Sequence, residues 1–147
     1  MLHSPDAAAR AAHLGTYVRW ESALPEWVHC VCALVAAREM DCVYVWTTHE
    51  RSSRANGVRE EVIQAIKHRK APAGLTEDEA LVVNFGLELL RDKHRVSKPT
   101  WDAAMKRYGL KAVTDLCVTI GYYTFLTFTL NGFEVETDAD TPPTLPL

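Results

Sequence analysis

The run Cys42-Val43-Tyr44-Val45-Trp46-Thr47-Thr48-His49-Glu50 gathers the side chains of this chain best suited to chemistry. In a helix, positions 42, 46 and 49 stand at i, i+4 and i+7, so a thiol, an indole and an imidazole share one stripe. Cysteines and aromatics at that spacing commonly pack as core. The imidazole makes the stripe a candidate site, because a neutral His is the side chain suited to move protons near pH 7. His49 is therefore the candidate proton donor or acceptor, with Cys42 and Cys30 as candidate catalytic thiols and Tyr44, Val45 and Trp46 as candidate substrate-binding residues. Cys42 and His49 on one helix lie about 10 Å apart along its axis, which leaves Cys30, from the preceding helix, as the better-placed partner. An apolar surround would raise the pKa of either thiol and lower that of the imidazole, keeping both neutral until substrate arrives.

Other chemistry has less support. Cys30 and Cys32 point about 200° apart on a helix and make no disulfide pair. Close Cys and His pairs of the structural zinc type are absent, so no metal is expected. Scattered glycines form no phosphate-cradling loop, and no cofactor is expected. His68 and His94, among Lys and Arg, read as solvated, Cys117 as core, and Tyr122 and Tyr123 as packing residues that need a hydroxyl partner if buried.

The elements that position these residues read as helices. Ser4-Pro5-Asp6 starts the first, with Ser4 as N-cap, and it runs to about Ser22 with Leu14, Tyr17, Val18 and Trp20 on it. Leu24-Pro25-Glu26 opens a second, nearly all apolar, to about Met40. Asp41 is the expected N-cap of the third, which ends at Asn56-Gly57. Val58 to Lys70 is amphipathic. A linker follows at Lys70–Gly74, and Thr76 with Glu79 forms a capping box that starts a helix to about Lys93. Ser97 with Pro99 starts another that ends at Gly109, Leu110 to Leu130 forms the last, and the Pro-rich tail lies extended. No stretch alternates with period two, so the fold class is all-α, with about six or seven helices.

At 147 residues and 48% hydrophobic, the chain suits one domain, with a core over 22–135 and an extended tail over 137–147. A net charge of −3 with both signs interspersed gives no electrostatic footprint for nucleic acid or an anionic membrane. The apolar run Leu116–Leu130 is about five residues short of a span and reads as a buried helix. Four cysteines without a disulfide framework, and a start that is not a signal peptide, point to a cytoplasmic location.

The pattern Cys42-x-Tyr44-x-Trp46-x-x-His49-Glu50, followed by Asn56-Gly57-Val58, resembles the carboxymuconolactone decarboxylase family, the alkylhydroperoxidase D-like superfamily. Leu24-Pro25, Leu75-Thr76-Glu77-x-Glu79-Ala80-Leu81, Val96-Ser97, Gly121-Tyr122-Tyr123 and Asn131-x-Phe133-Glu134-Val135 extend the likeness over roughly residues 22 to 147, with the first twenty as a shortened remnant. The resemblance implies an alkylhydroperoxidase D-like helical bundle, assembled as a homo-oligomer (trimer or hexamer, or a dimer). It also implies an altered site. The peroxidase branch has cysteines seven and four residues before the His and a Glu nineteen before it, where this chain has Cys42, Val45 and Cys30. Val45 can neither attack a peroxide nor resolve a sulfenate. The decarboxylase-like branch has acidic residues at the positions of Val43 and Val45, and these are lost with the Glu at Cys30. The expectation is a lyase- or isomerase-like enzyme acting on a small, cyclic or lactone-type metabolite by acid–base chemistry at His49. The alternatives are a thiol peroxidase with an incomplete Cys pair, or an inactive chain that binds a small molecule or a partner.

Overall fold

The second helix is the one the molecule is built around. Its sequence is apolar on every side, and such a helix is stable in water only when covered all round. In the structure, a computed structural model that describes residues 3–70, 74–91 and 93–146, it is α2, Glu26–Glu39, buried from Val28 through Arg38. The chain runs α1 (Pro5–Thr16), a five-residue π-helical turn (Tyr17–Glu21), α2, α3 (Val43–Ala55), α4 (Glu60–Lys67), α5 (Glu77–Leu90) and α6 (Lys98–Gly132). Helices α3, α4, α5 and α6 all pack on α2. The fold is all-α, with six helices and no strand among the described residues.

Local chemistry explains most boundaries. Pro5 opens α1, although the Ser4 side chain makes no capping bond. Thr76 accepts from the Glu79 N–H at 3.3 Å while Glu79 accepts from the Thr76 N–H at 2.8 Å, the capping box of α5. Gly109, at φ 77° and ψ 168°, breaks α6 where the sequence predicts the end of one helix and the start of another. Gly86 lets α5 approach α2, since a Cβ there would stand 2.9 Å from Val35 Cγ1.

Three boundaries differ from expectation. The N-cap of α3 is Cys42 rather than Asp41, which adopts φ 47° while its carboxylate is taken by Arg38 and, at 2.9 Å, by Arg69. Helix α4 is shorter at both ends than Val58–Lys70, and Arg69 turns left-handed at φ 50° just after it. Helix α5 stops at Leu90 because Arg91 goes extended and clasps the buried Glu39 carboxylate at 2.5 and 2.7 Å. Of the expected linker, residues 71–73 lie outside the described residues. By length and composition α6 could cross a membrane, but its face Leu116, Ile120, Tyr123 and Thr127 is buried within the bundle. The tail is extended and strapped to α3, with Leu145 buried and the Thr144 hydroxyl on Glu50.

Candidate functional site

Four elements meet around one ring. Tyr123, on the inward face of α6, is buried, and its hydroxyl lies 3.1 Å from Nε2 of His29 on α2. The His29 ring meets the Tyr123 ring edge-on at 5.4 Å, and the His49 ring from α3 does so at 5.0 Å. Tyr122 packs against Tyr123 at 5.5 Å. The fourth element is the π-helical turn, in which the Ser22 N–H bonds back to the Tyr17 carbonyl at 2.9 Å. Such a bulge rotates the side chains that follow α1. Here it brings Arg19 and Trp20 to the rim of a cavity.

That cavity, of about 260 Å³, is lined by Arg19, Trp20, His49, Tyr122, Tyr123 and Leu126, with Ala12, Gly15 and Thr16 of α1 closing one side. Gly15 makes room for Tyr122, since a Cβ there would sit 2.3 Å from the phenolic oxygen. The turn is fixed to α6 through the buried Asp115, which accepts from Tyr17 Oη and the Ala23 N–H at 2.8 Å each, and from Lys111 at 3.2 Å. Three larger surface grooves, one of about 520 Å³ between Val43, Leu130 and Pro143, are lined by no histidine among the described residues.

The electrostatics keep the site neutral apart from its rim. Burial, then the Arg19 charge, pull the His49 pKa down to about 4, with His29 adding a smaller push. Burial and Arg19 lower His29 to about 4 as well. Burial pushes Tyr123 up to about 12, with Arg19 opposing. At pH 7 both imidazoles are therefore uncharged, and with its proton on Nδ1 the His29 ring accepts the Tyr123 hydroxyl proton at Nε2.

The residues singled out in the sequence separate. His49 lines the cavity. Cys42 is buried at the N-cap of α3, and Trp46 is fully buried with its Nε1–H donated to Glu50 Oε2 at 3.1 Å. The stripe 42–46–49 thus splits, with Cys42 and Trp46 in the core and only His49 on the cavity. Val45 is also buried, and Tyr44 faces a groove on the tail side with Thr47 and Thr141. Cys30 is buried next to His29, with the Asn56 amide 3.7 Å from its sulfur. Burial raises the pKa of both Cys30 and Cys42. Glu50 faces the opposite way from His49: burial would raise its carboxyl, but hydrogen bonds from Thr144, Lys67 and Arg54 outweigh this and lower it. Among the described residues no group of three or more His, Cys, Asp or Glu comes close enough together to hold a metal ion.

Sequence reasoning gave neither Arg19 nor His29 a role in the site, and it assigned Tyr122 and Tyr123 to packing. A signal was present for one of them. A buried tyrosine hydroxyl demands a partner, and His29 is it.

The sequence model of the carboxymuconolactone decarboxylase family matches residues 5–83, just over half of the chain. That span takes in Arg19, His29, Cys30 and His49, and it begins within the segment expected to be a remnant. No curated protein matches. One solved structure, a protein of unknown function from Agrobacterium tumefaciens named as a candidate antioxidant defence protein AhpD, is similar over 93% of this chain and 94% of that one. The TM-score is 0.79 at 19% identity, a likeness of fold.

Proposed function

The chain belongs to the carboxymuconolactone decarboxylase family, and from that premise we propose that it is a small-molecule enzyme in which His49 transfers protons within the Arg19–Tyr123 cavity. The observation that carries this reading is the placement of the His49 ring on a cavity whose lining also includes Arg19, Tyr122 and Tyr123. At about 260 Å³ it falls below the roughly 300–1,000 Å³ of drug-sized sites, which favours a small metabolite.

The chemistry follows from the groups present. Neutral Nε2 or Nδ1 of His49 takes a proton from a carbon next to a carbonyl, and the electron pair of that C–H bond moves onto the carbonyl oxygen as an enolate. The Arg19 cation at the rim favours that negative charge. Return of the proton to a different carbon gives an isomerisation. In a β-keto or vinylogous acid, the carboxyl proton passes to neutral His49, the C–C bond to the carboxylate breaks as carbon dioxide leaves, its electron pair moves onto the carbonyl oxygen as an enolate, and His49 returns the proton to carbon. The low proton affinity of His49 makes its imidazolium a strong acid once formed.

The thiol peroxidase alternative has less support. Cys30 and Cys42 are buried, both pKa values are raised, and Val45 stands where a second thiol would be needed. Exposed Phe125 and Phe128 support a homo-oligomer that covers them. The four free cysteines accord with a reducing, cytoplasmic setting.

The test is solvent deuterium incorporation into a panel of small lactones and β-keto acids, followed by proton NMR. The expected result is acceleration by the wild type on at least one compound, reduced about 10²-fold or more in His49→Gln. Exchange no faster than in buffer across lactones, keto acids and enolisable cyclic acids would overturn the reading.

A further inference from the structure

The rim of the His49 cavity carries a positive charge with no counter-charge among the described residues. Most arginines elsewhere in the molecule sit in ion pairs, among them Arg38 with Asp41, Arg54 with Glu60, Arg59 with Glu79 and Arg107 with Asp78; Arg51 and Arg95 line grooves in which no histidine stands. Arg19 makes no ion pair among the described residues; the face of Trp20 lies 5.9 Å from it, and the Tyr123 hydroxyl is its hydrogen-bond partner. No Asp or Glu lines the cavity. Two buried carboxylates of the bundle are engaged elsewhere, Asp115 with Tyr17, Ala23 and Lys111, and Glu50 with Trp46, Arg54 and Lys67, and Glu26, whose charge reaches Cys30, does not line the cavity.

The walls beside this charge are of two kinds. Tyr122 and His49 can each present a hydrogen-bond donor, while Trp20 and Leu126 offer flat apolar surface. A guanidinium beside hydroxyl and imidazole donors is a receptor for a planar anion. Its size and single cation fit one negative charge on a small apolar body.

We propose that Arg19 anchors the carboxylate of a small, flat, singly charged organic acid, with the body of the acid held against Trp20 and Leu126 and directed at His49. This rests on the reading of the cavity as a small-molecule site. It also assigns a consequence to the arrangement. Facing His49 are Arg19 from the π-helical turn, His29 from α2 and Tyr122 and Tyr123 from α6, and Arg19 is the cationic group among them. A bound carboxylate offsets that cation, so the imidazole becomes a better base when, and only when, the acid is present. The ligand's own charge prepares the group that acts on it.

The experiment uses the full chain, with benzoate as probe and benzamide as its neutral isostere. Binding is read from Trp fluorescence, and the titration of His49 from its imidazole C2–H NMR signal. Benzoate is expected to bind and to move the His49 titration upward, benzamide to bind at least about 10-fold more weakly, and Arg19→Gln to weaken benzoate about 10- to 100-fold, the range of a charged hydrogen-bonded contact. Arg19→Gln alone should also raise the His49 titration and remove its response to benzoate. Equal binding of benzoate and benzamide, or unchanged benzoate affinity in Arg19→Gln, would overturn the proposal. Neither reading depends on turnover, so benzoate binding without deuterium exchange refutes only the catalytic role, and exchange without benzoate binding refutes only the anchor.

Discussion

His29 and His49 are held neutral mainly by burial, and that neutrality has a pH signature. Their folded pKa values of about 4 lie below the ordinary 6.5. Between those values the unfolded chain binds protons that the folded chain refuses, so stability present above pH 6.5 is lost progressively as the pH falls towards 4. Urea midpoints are expected to decline across that window, and His29→Gln to flatten the decline. An unchanged slope in the variant would show that His29 is free to protonate in the folded state. The depressed carboxyls of Asp115 and Glu50 add their losses at lower pH, as each is protonated. At this scale the sequence showed His49, because an imidazole on an apolar helical stripe is unusual. It did not show Arg19, whose neighbours in sequence give no hint of a cavity, nor the division of roles within 42–46–49. Cys42 precedes the first residue of α3, and Trp46 turns inward to Glu50.

At the scale of the element, the site depends on a short irregular segment held by one carboxylate. Burial alone would raise the Asp115 carboxyl, but donors from Ala23, Tyr17 and Lys111 outweigh it and keep it charged. Through the first two it fixes both ends of the π-helical turn to α6, and with them the position of Arg19. Asp115→Asn presents an amide group to these donors, so it should destabilise the fold by about 2 kcal/mol. It should also weaken benzoate binding although residue 115 does not line the cavity. A variant as stable as the wild type in urea would remove Asp115 from this role. The regular helices were readable because their signals are local: Pro25 before α2, the Thr76–Glu79 box, Gly109 and Ser97–Pro99 all lie within a turn of the boundary they set. Asp41 was misread as an N-cap because Arg69, twenty-eight residues away, takes its carboxylate.

At the scale of the molecule, apolar side chains remain uncovered. Phe128 is 64% exposed, Phe133 68% and Phe125 44%. Large aromatic groups left in water are a common mark of association. Light scattering is expected to give a mass two, three or six times that of the 16.5 kDa chain. A stable monomer at micromolar concentration would leave these residues without the partner surface that the family resemblance implies.

The helical inventory, its order and the identity of α2 as the centre follow from periodicity, capping residues and an apolar pattern on all sides, each of which is written in consecutive residues. The cavity is different in kind. Arg19, His29, His49 and Tyr123 stand on four elements and are separated by up to about a hundred positions, and each is ordinary in its own segment. They meet because the π-helical turn, α2, α3 and α6 pack together, and burial and the Arg19 charge shift the two imidazoles and the Tyr123 hydroxyl only at the short distances that packing creates.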